Sequence, residues 1–272
     1  MFLVVCAFLI IASAPPVLAE AKVKPAISND AITIYTEDWP PFTFEEDGQL
    51  KGFSVEVVRA IQDKVHDTTP IQIAPWTRGY HEALANPNVI LLAMIRSKER
   101  EKLFTLLGPL GETEIALYGL AKPRFPINSI ASGKSSLLVA ALQDSIYSSA
   151  LKDAGFKNIE HTKNPEQEAR QLAAGRVDLI ATDPCVIKAA FKKIGRSDLE
   201  LKKYLTIAKS EVYISFSKGT KPDIILKWKN ALKEIKQDGT FAKLAHKWTP
   251  EKLVLMEVVL LSPDIKIQKM AK

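Results

Sequence analysis

Apolar residues recur along this chain at two spacings, and stretches of the two kinds alternate. Short β-branched runs read as strands at 32–35, 71–74, 90–94, 114–119, 137–141, 158–161, 179–182 and 212–216. Helical patterns fall between and after them, at 54–65, 78–85, 145–154, 166–174, 185–194, 222–238 and 240–247. In the first, Val57, Val58, Ile61 and Val65 share one helical face. Pro165 and Pro184 each precede a helical pattern, and a first turn tolerates proline because the missing N–H would have no partner there. Strands alternating with helices predict an α/β fold with mostly parallel sheets. The most informative stretch runs from Glu37 to Ile61. It follows a strand and reads as a stiff Trp39-Pro40-Pro41-Phe42 loop, a turn at Asp47-Gly48, and Gly52-Phe53 opening an amphipathic helix. Open α/β sheets place ligands where strands end, so this aromatic loop is a candidate ligand edge.

Length and charge narrow the picture. The 272 residues allow one large domain or two modest lobes. The net charge of +6 is spread along the chain, with no basic stripe or nucleic-acid module, so nucleic-acid binding is not expected. Residues 1–19 read as a cleavable signal peptide: an apolar run at 2–11, too short to span a bilayer, then small residues before Glu20. Export to the periplasm is expected. The mature chain would then keep one cysteine, Cys185, and no internal disulfide; a small buried side chain is its expected role. No metal-ligand set or cofactor motif stands out. His66, His81, His161 and His246 have no triad-like setting, so catalysis is not expected.

Five blocks, in order, carry a resemblance to a known family. Gly52-Phe53-Ser54-Val55-Glu56-Val57 is similar to the N-terminal signature of the family 3 solute-binding proteins of bacterial ABC transporters, the polar-amino-acid group. Ser54 stands where that family has an acid. Met94 to Phe104 resembles the block in which an Arg follows a strand, and Val139 to Ser145 the strand that leads to a ligand-facing helix N-terminus. Leu172 to Asp183 resembles the Ala-Gly-Arg-hydrophobic-Asp block, and Asp238 to Trp248 the last helix. The resemblance covers residues 31–249. One departure is Asn86-Pro87-Asn88-Val89, in place of a Gly-x-x-Asp turn.

The resemblance implies a two-lobe periplasmic-binding-protein-like (type II) fold, with a central sheet in each lobe and a two-strand hinge. Lobe 1 would be discontinuous, 20–118 plus 212–250; lobe 2 would be 119–211. A C-terminal extension, 251–272, would pack on its own chain or cap an interface. The implied function is capture of a small solute, most expectedly an amino acid, for a membrane ABC permease, by a monomer. Two alternatives stay open: a ligand-sensing module without a transporter, and a dehydratase-like enzyme on the same fold.

Candidate site residues follow from the same blocks. Burying a zwitterion's charges requires pairing them. Arg100 would grip the ligand carboxylate with its planar fork, supported by backbone near Ile95. Asp183 would take the ammonium, or merely cap the helix after it. Ser145 stands at the family's hydroxyl position at a helix N-terminus, with Asp144 where a Gly is usual. Trp39 would stack on the ligand side chain, and Trp76 would line the cleft. Glu37 would suit a cationic side chain and Arg78 an anionic one. Arg96 has equal claims on cleft and solvent, and Asp178 reads as structural.

Overall fold

The computed structural model describes residues 31–123, 127, 130–248 and 257–270. The expected signal peptide, residues 124–126 and parts of the C-terminal extension lie outside the described residues.

The first strand, β1 (Thr33–Thr36), runs into the Trp-Pro-Pro-Phe loop and a small hairpin, β2 (Phe44–Glu46) with β3 (Gln49–Lys51). Its turn residues Asp47 and Gly48 both take positive φ, 53° and 70°, the geometry that two-residue hairpin loops prefer. α1 (Phe53–Val65) starts at once. The aromatic loop caps it: Phe53 N–H donates to Pro41 O and Ser54 N–H to Phe42 O, both at 2.9 Å. Gly52 makes this possible. It has φ 119°, and a Cβ there would lie 2.5 Å from Phe42 O. Phe53, Val57, Val58 and Ile61 then face the core. Each such side chain contributes about 1.5–3 kcal/mol by leaving water.

β4 (Ile71–Ile73), α2 (Trp76–Ala85), β5 (Val89–Ile95) and the single turn α3 (Arg100–Leu103) complete the first half. β5 is buried at every residue, as its unbroken apolar run requires of a central strand. The chain then enters β6 (Thr105–Leu120), followed by α4 (Ile130–Gly133), β7 (Leu138–Leu142), α5 (Ile146–Asp153), β8 (Asn158–Thr162), α6 (Pro165–Ala173), β9 (Leu179–Thr182) and α7 (Pro184–Lys193). β10 (Leu201–Phe216) returns it to α8 (Pro222–Gln237), α9 (Thr240–Trp248), β11 (Val259–Leu261) and α10 (Ile265–Met270). Pro165 and Pro184 sit in the first turns of α6 and α7, as their sequence positions require.

One nine-stranded sheet results, in the order β4-β1-β5-β10-β6-β9-β7-β8, with β11 on β6. β4, β1 and β5 are parallel, and so are β9, β7 and β8. Antiparallel β6 and β10 join the two groups. The sheet expected in each lobe is therefore present, and the two are continuous through these strands. Each is 16 residues long, about 50 Å at the usual rise per residue. β10 pairs with β5 at Val212–Phe216, whereas β6 pairs with β9 at Ala116–Tyr118. Between these stations, Glu112 to Ile115 and Ala208 to Glu211 pair only with each other among the described strands. The described part of the C-terminal extension, 257–270, packs on its own chain. β11 adds to β6 at Leu106–Gly108, Ser262 Oγ and Thr105 Oγ1 meet at 2.7 Å, and Ile267 is buried.

Candidate functional site

The C-terminal ends of β1, β5, β7 and β9 converge on a cleft beside the two long strands. An inner cavity of about 30 Å³ is lined by residues of both halves, among them Glu37, Trp39, Arg100, Ser145, Tyr147 and Glu168. It adjoins an outer chamber of about 670 Å³, and Glu37, Asp38, Trp76, Leu142, Pro165 and Val186 border both.

Arg100 follows β5 and is 5 % exposed. Nη1 donates to Ile95 O at 2.8 Å, so the backbone at Ile95 holds the guanidinium in place. Trp76 lies over it at 4.7 Å and Tyr80 at 5.6 Å, and the two rings stack on each other at 5.2 Å. An aromatic face attracts a cation and so replaces part of the lost hydration. Burial still lowers the Arg100 pKa from its ordinary value, against Tyr80 and Glu37, which raise it. An arginine keeps its charge under such conditions.

Glu37 follows β1 across the cavity. Burial of its carboxyl pushes its pKa up to about 7, opposed by Arg100 and reinforced by Asp38. Thr43 Oγ1 donates to Glu37 O at 2.6 Å and fixes the backbone there. Trp39 is 3 % exposed and packs on Phe42 with ring centres 4.7 Å apart; its indole N–H has no acceptor among the described residues. The rings over the Arg100 cation are those of Trp76 and Tyr80.

The second half supplies Ser145, Tyr147, Glu168 and Asp183. Ser145 lines the inner cavity as the N-cap of α5, accepting from Ser148 N–H at 3.3 Å and donating to Leu142 O. Asp183 caps α7: Oδ1 accepts from Cys185 N–H at 2.7 Å and Oδ2 from Thr113 Oγ1, a β6 residue, at 2.6 Å. It is fully buried and borders neither cavity, so of the six predicted site residues only Asp183 stands behind the lining. Trp39, Ile95, Arg100 and Ser145 border the inner cavity, and Trp76 borders both. Tyr147 is buried, which raises its pKa well above the ordinary value; Asp183, Glu37 and Glu168 add to the rise and Arg100 opposes it. Burial also pushes Glu168 up to about 8, against the hydrogen bond from Thr162.

Other charged candidates lie elsewhere. Arg96 pairs with Glu101 at 2.6 Å and Glu211 at 3.0 Å, beside the central stretch of β10. Arg78 is exposed and borders neither cavity. Asp178 accepts from Leu138 N–H at 2.8 Å and so serves the structure. Sequence reasoning passed over Glu168, Tyr147 and Thr113. Glu168 carried a usable signal: it is the position of α6 that shares a helical face with the apolar Ala169 and Leu172.

The halves also touch across the outer chamber. Lys193 of α7 contacts Asp38, and also Glu166 at 3.3 Å. Trp76 Nε1 donates to Asp144 O at 2.9 Å, and His81 Nε2 lies 3.3 Å from Asp144 Oδ2.

A two-lobe α/β fold with a charged, aromatic-lined cleft beside two connecting strands defines a solute-binding protein. The sequence model of the bacterial extracellular solute-binding proteins, family 3, matches residues 32–251, and the chain belongs to that family. The resemblance read from the five blocks is thereby confirmed. The L-cystine-binding protein TcyA of Bacillus subtilis is 23 % identical over 223 residues, 81 % of each chain. A putative L-cystine ABC transporter structure from Listeria monocytogenes superposes with a TM-score of 0.70 at 24 % identity, covering 83 % of this chain and 99 % of its own. A histidine kinase sensor domain with similarity to periplasmic binding proteins also gives 0.70, at 19 % identity, covering 83 % and 99 %. These two structures bear on the fold alone.

Proposed function

We propose that this chain captures an amino acid in the cleft and delivers it to an ABC permease, acting as a monomer outside the cytoplasm after removal of residues 1–19. The observation that carries the reading is Arg100: a buried guanidinium, preset by Ile95 O and two aromatic rings, bordering the inner cavity of the cleft. Such a group suits one partner above others, a carboxylate offering two parallel acceptors. The names of the relatives, a cystine-binding protein among them, support the same ligand class. Binding rather than turnover is the activity proposed, and the family supports it.

An inner cavity of about 30 Å³ holds little more than one water. A ligand therefore enters with the halves apart and is enclosed as they close. We assign lobe 1 to 20–118 plus 212–250, lobe 2 to 119–211, and the bending to the central stretches of β6 and β10 that pair only with each other. Ligand drives closure only in so far as it binds the closed form better. Residues of both halves border the inner cavity, so a bound molecule gains its full contacts only on closure. The extracellular family and the absence, among the described residues, of a helix long and apolar enough to cross a membrane agree with this placement.

Titration calorimetry with a panel of amino acids tests the reading. Binding is expected, and Arg100→Ala should weaken it by about 2–5 kcal/mol, the range for truncating one partner of a buried charge pair. Equal affinity in the variant for a ligand with an unblocked carboxylate would remove Arg100 from the site. The sensing alternative shares the capture step; a pull-down of the ligand-loaded chain on permease-bearing membranes separates the two.

A further inference from the structure

Glu168 borders the inner cavity from the first turns of α6 and is 3 % exposed. Oε1 accepts from Thr162 Oγ1 at 2.9 Å; among the described residues nothing donates to Oε2, and no cation forms an ion pair with the group. It is one of three acids whose charge acts on the buried Tyr147 hydroxyl, with Asp183 and Glu37, against one cation, Arg100. Asp183 is accounted for within the protein by the α7 N-terminus and the Thr113 hydroxyl. Among the described residues Glu168 has no cation, and Glu37 has only the charge of Arg100. A carboxyl enclosed without a cation keeps its proton until one arrives.

The counts on the two sides then match a particular ligand. One guanidinium calls for one carboxylate; with Arg100 so engaged, the carboxyls of Glu37 and Glu168 call for two cationic groups. We propose that the site takes a basic amino acid, and that Glu168 is the residue that selects for its second positive charge. The inference rests on the amino-acid reading above and narrows it. Glu168 borders the inner cavity alone and Glu37 borders both spaces, so one cationic group would meet Glu168 in the inner cavity, widened as the halves part, and the other Glu37 on the way to the outer chamber, with the methylene chain between them. The outer chamber would not repel such a chain. Its cations Lys163 and Lys193 face Asp38, Asp144 and Glu166, and Lys193 is already held by Asp38 and Glu166. A neutral amino acid would leave one of the two buried carboxyls protonated and without a partner.

Calorimetry on the full chain with lysine, arginine, glutamine and cystine decides it. The wild-type protein should bind lysine or arginine at least about tenfold more tightly than glutamine or cystine, and Glu168→Gln should cut the lysine-to-glutamine affinity ratio about 10- to 100-fold. Thermal unfolding checks that the variant is folded. If it is not, Thr162→Val, which removes the one hydroxyl that orients Glu168, should lower the same ratio by a smaller factor. A wild-type preference for glutamine or cystine, or a ratio unmoved by either folded variant, overturns the proposal while amino-acid capture stands. Failure to bind any amino acid overturns both.

Discussion

Arg100 and Glu168 are both about 95 % buried in the wall of the same cavity, but the protein treats their charges differently. Arg100 is answered from several directions: Ile95 O accepts a hydrogen bond from it, Trp76 and Tyr80 present their ring faces, and the Glu37 charge acts on it. Glu168 is answered by one hydroxyl. The guanidinium is thus set in place for a partner still to come, and the carboxyl is left in want of one. A buried charge is tolerated when surrounding dipoles and faces replace water; otherwise protonation removes the charge instead. The cleft uses the first solution on one side and the second on the other.

Removing the supported charge should do the most damage. Arg100→Ala leaves Ile95 O without its donor, removes the cation from the faces of Trp76 and Tyr80, and takes away the cation nearest Glu37. A loss of about 2–4 kcal/mol in ligand-free stability is expected, the usual range for breaking a buried network. Chemical denaturation reads it directly. Glu168→Gln should show the opposite sign above pH 8, because the amide ends the cost of ionising a buried group. Equal destabilisation by both variants would erase the contrast between the walls.

The next test uses pH at Glu37. Its folded pKa of about 7 lies above the ordinary value near 4.5, with burial as the main cause. Below pH 4.5 the group is protonated in both folded and unfolded states and contributes no pH dependence. As pH rises from 4.5 to 7 the unfolded chain ionises first, so folding loses stability through that window. Melting temperatures from pH 5 to 8 should therefore fall less steeply in Glu37→Gln than in the wild type. Parallel slopes would mean that Glu37 ionises as freely as a surface acid.

These charges also mark what the sequence could disclose. The α/β alternation, the helix starts at Pro165 and Pro184 and the cap at Gly52 depend on short-range rules, and they were legible. So was Arg100, because a strand end and a neighbouring block place it. The two connecting strands were read short, as 114–119 and 212–216 against Thr105–Leu120 and Leu201–Phe216. Gly108-Pro109 looks like a strand breaker, but Pro109 falls in an irregular stretch where β6 makes no paired contact. Lys202 and Lys203 hide the other strand, because it is exposed there and has no apolar alternation to show. The helical face that Glu168 shares with Ala169 and Leu172 marked it as inward-facing, but its place on the cavity wall was hidden, because that depends on which elements pack around α6.

A smaller effect is expected at the outer chamber. Lys193→Ala removes the contact with Asp38 that joins the halves, and also the pair with Glu166. All three side chains keep substantial contact with water, so the change should cost no more than about 1 kcal/mol. Its signature is conformational: small-angle scattering of the ligand-free variant should show a larger radius of gyration than the wild type, with little change once ligand is bound. No expansion would mean that Trp76 and Asp144 hold the mouth without the lysine.

The smallest expected effect lies at Asp144, where a backbone preference opposes a side-chain contact. Asp144 has φ 55°, a left-handed conformation in which a Cβ is crowded by the neighbouring carbonyl. Asp144→Gly relieves that crowding, worth about 1 kcal/mol, but makes the unfolded chain more mobile and removes the carboxylate beside His81. His81 and Asp144 are 64 % and 40 % exposed at the side chain, so their pairing contributes little. The Trp76 bond goes to the Asp144 carbonyl, which glycine retains. The balance favours glycine by about 0.5 kcal/mol, a rise of about 1–2 °C in melting temperature for a chain of this size. A fall instead would show that the His81 contact outweighs the backbone strain, and that the second half also spends a charge on holding the cleft shut.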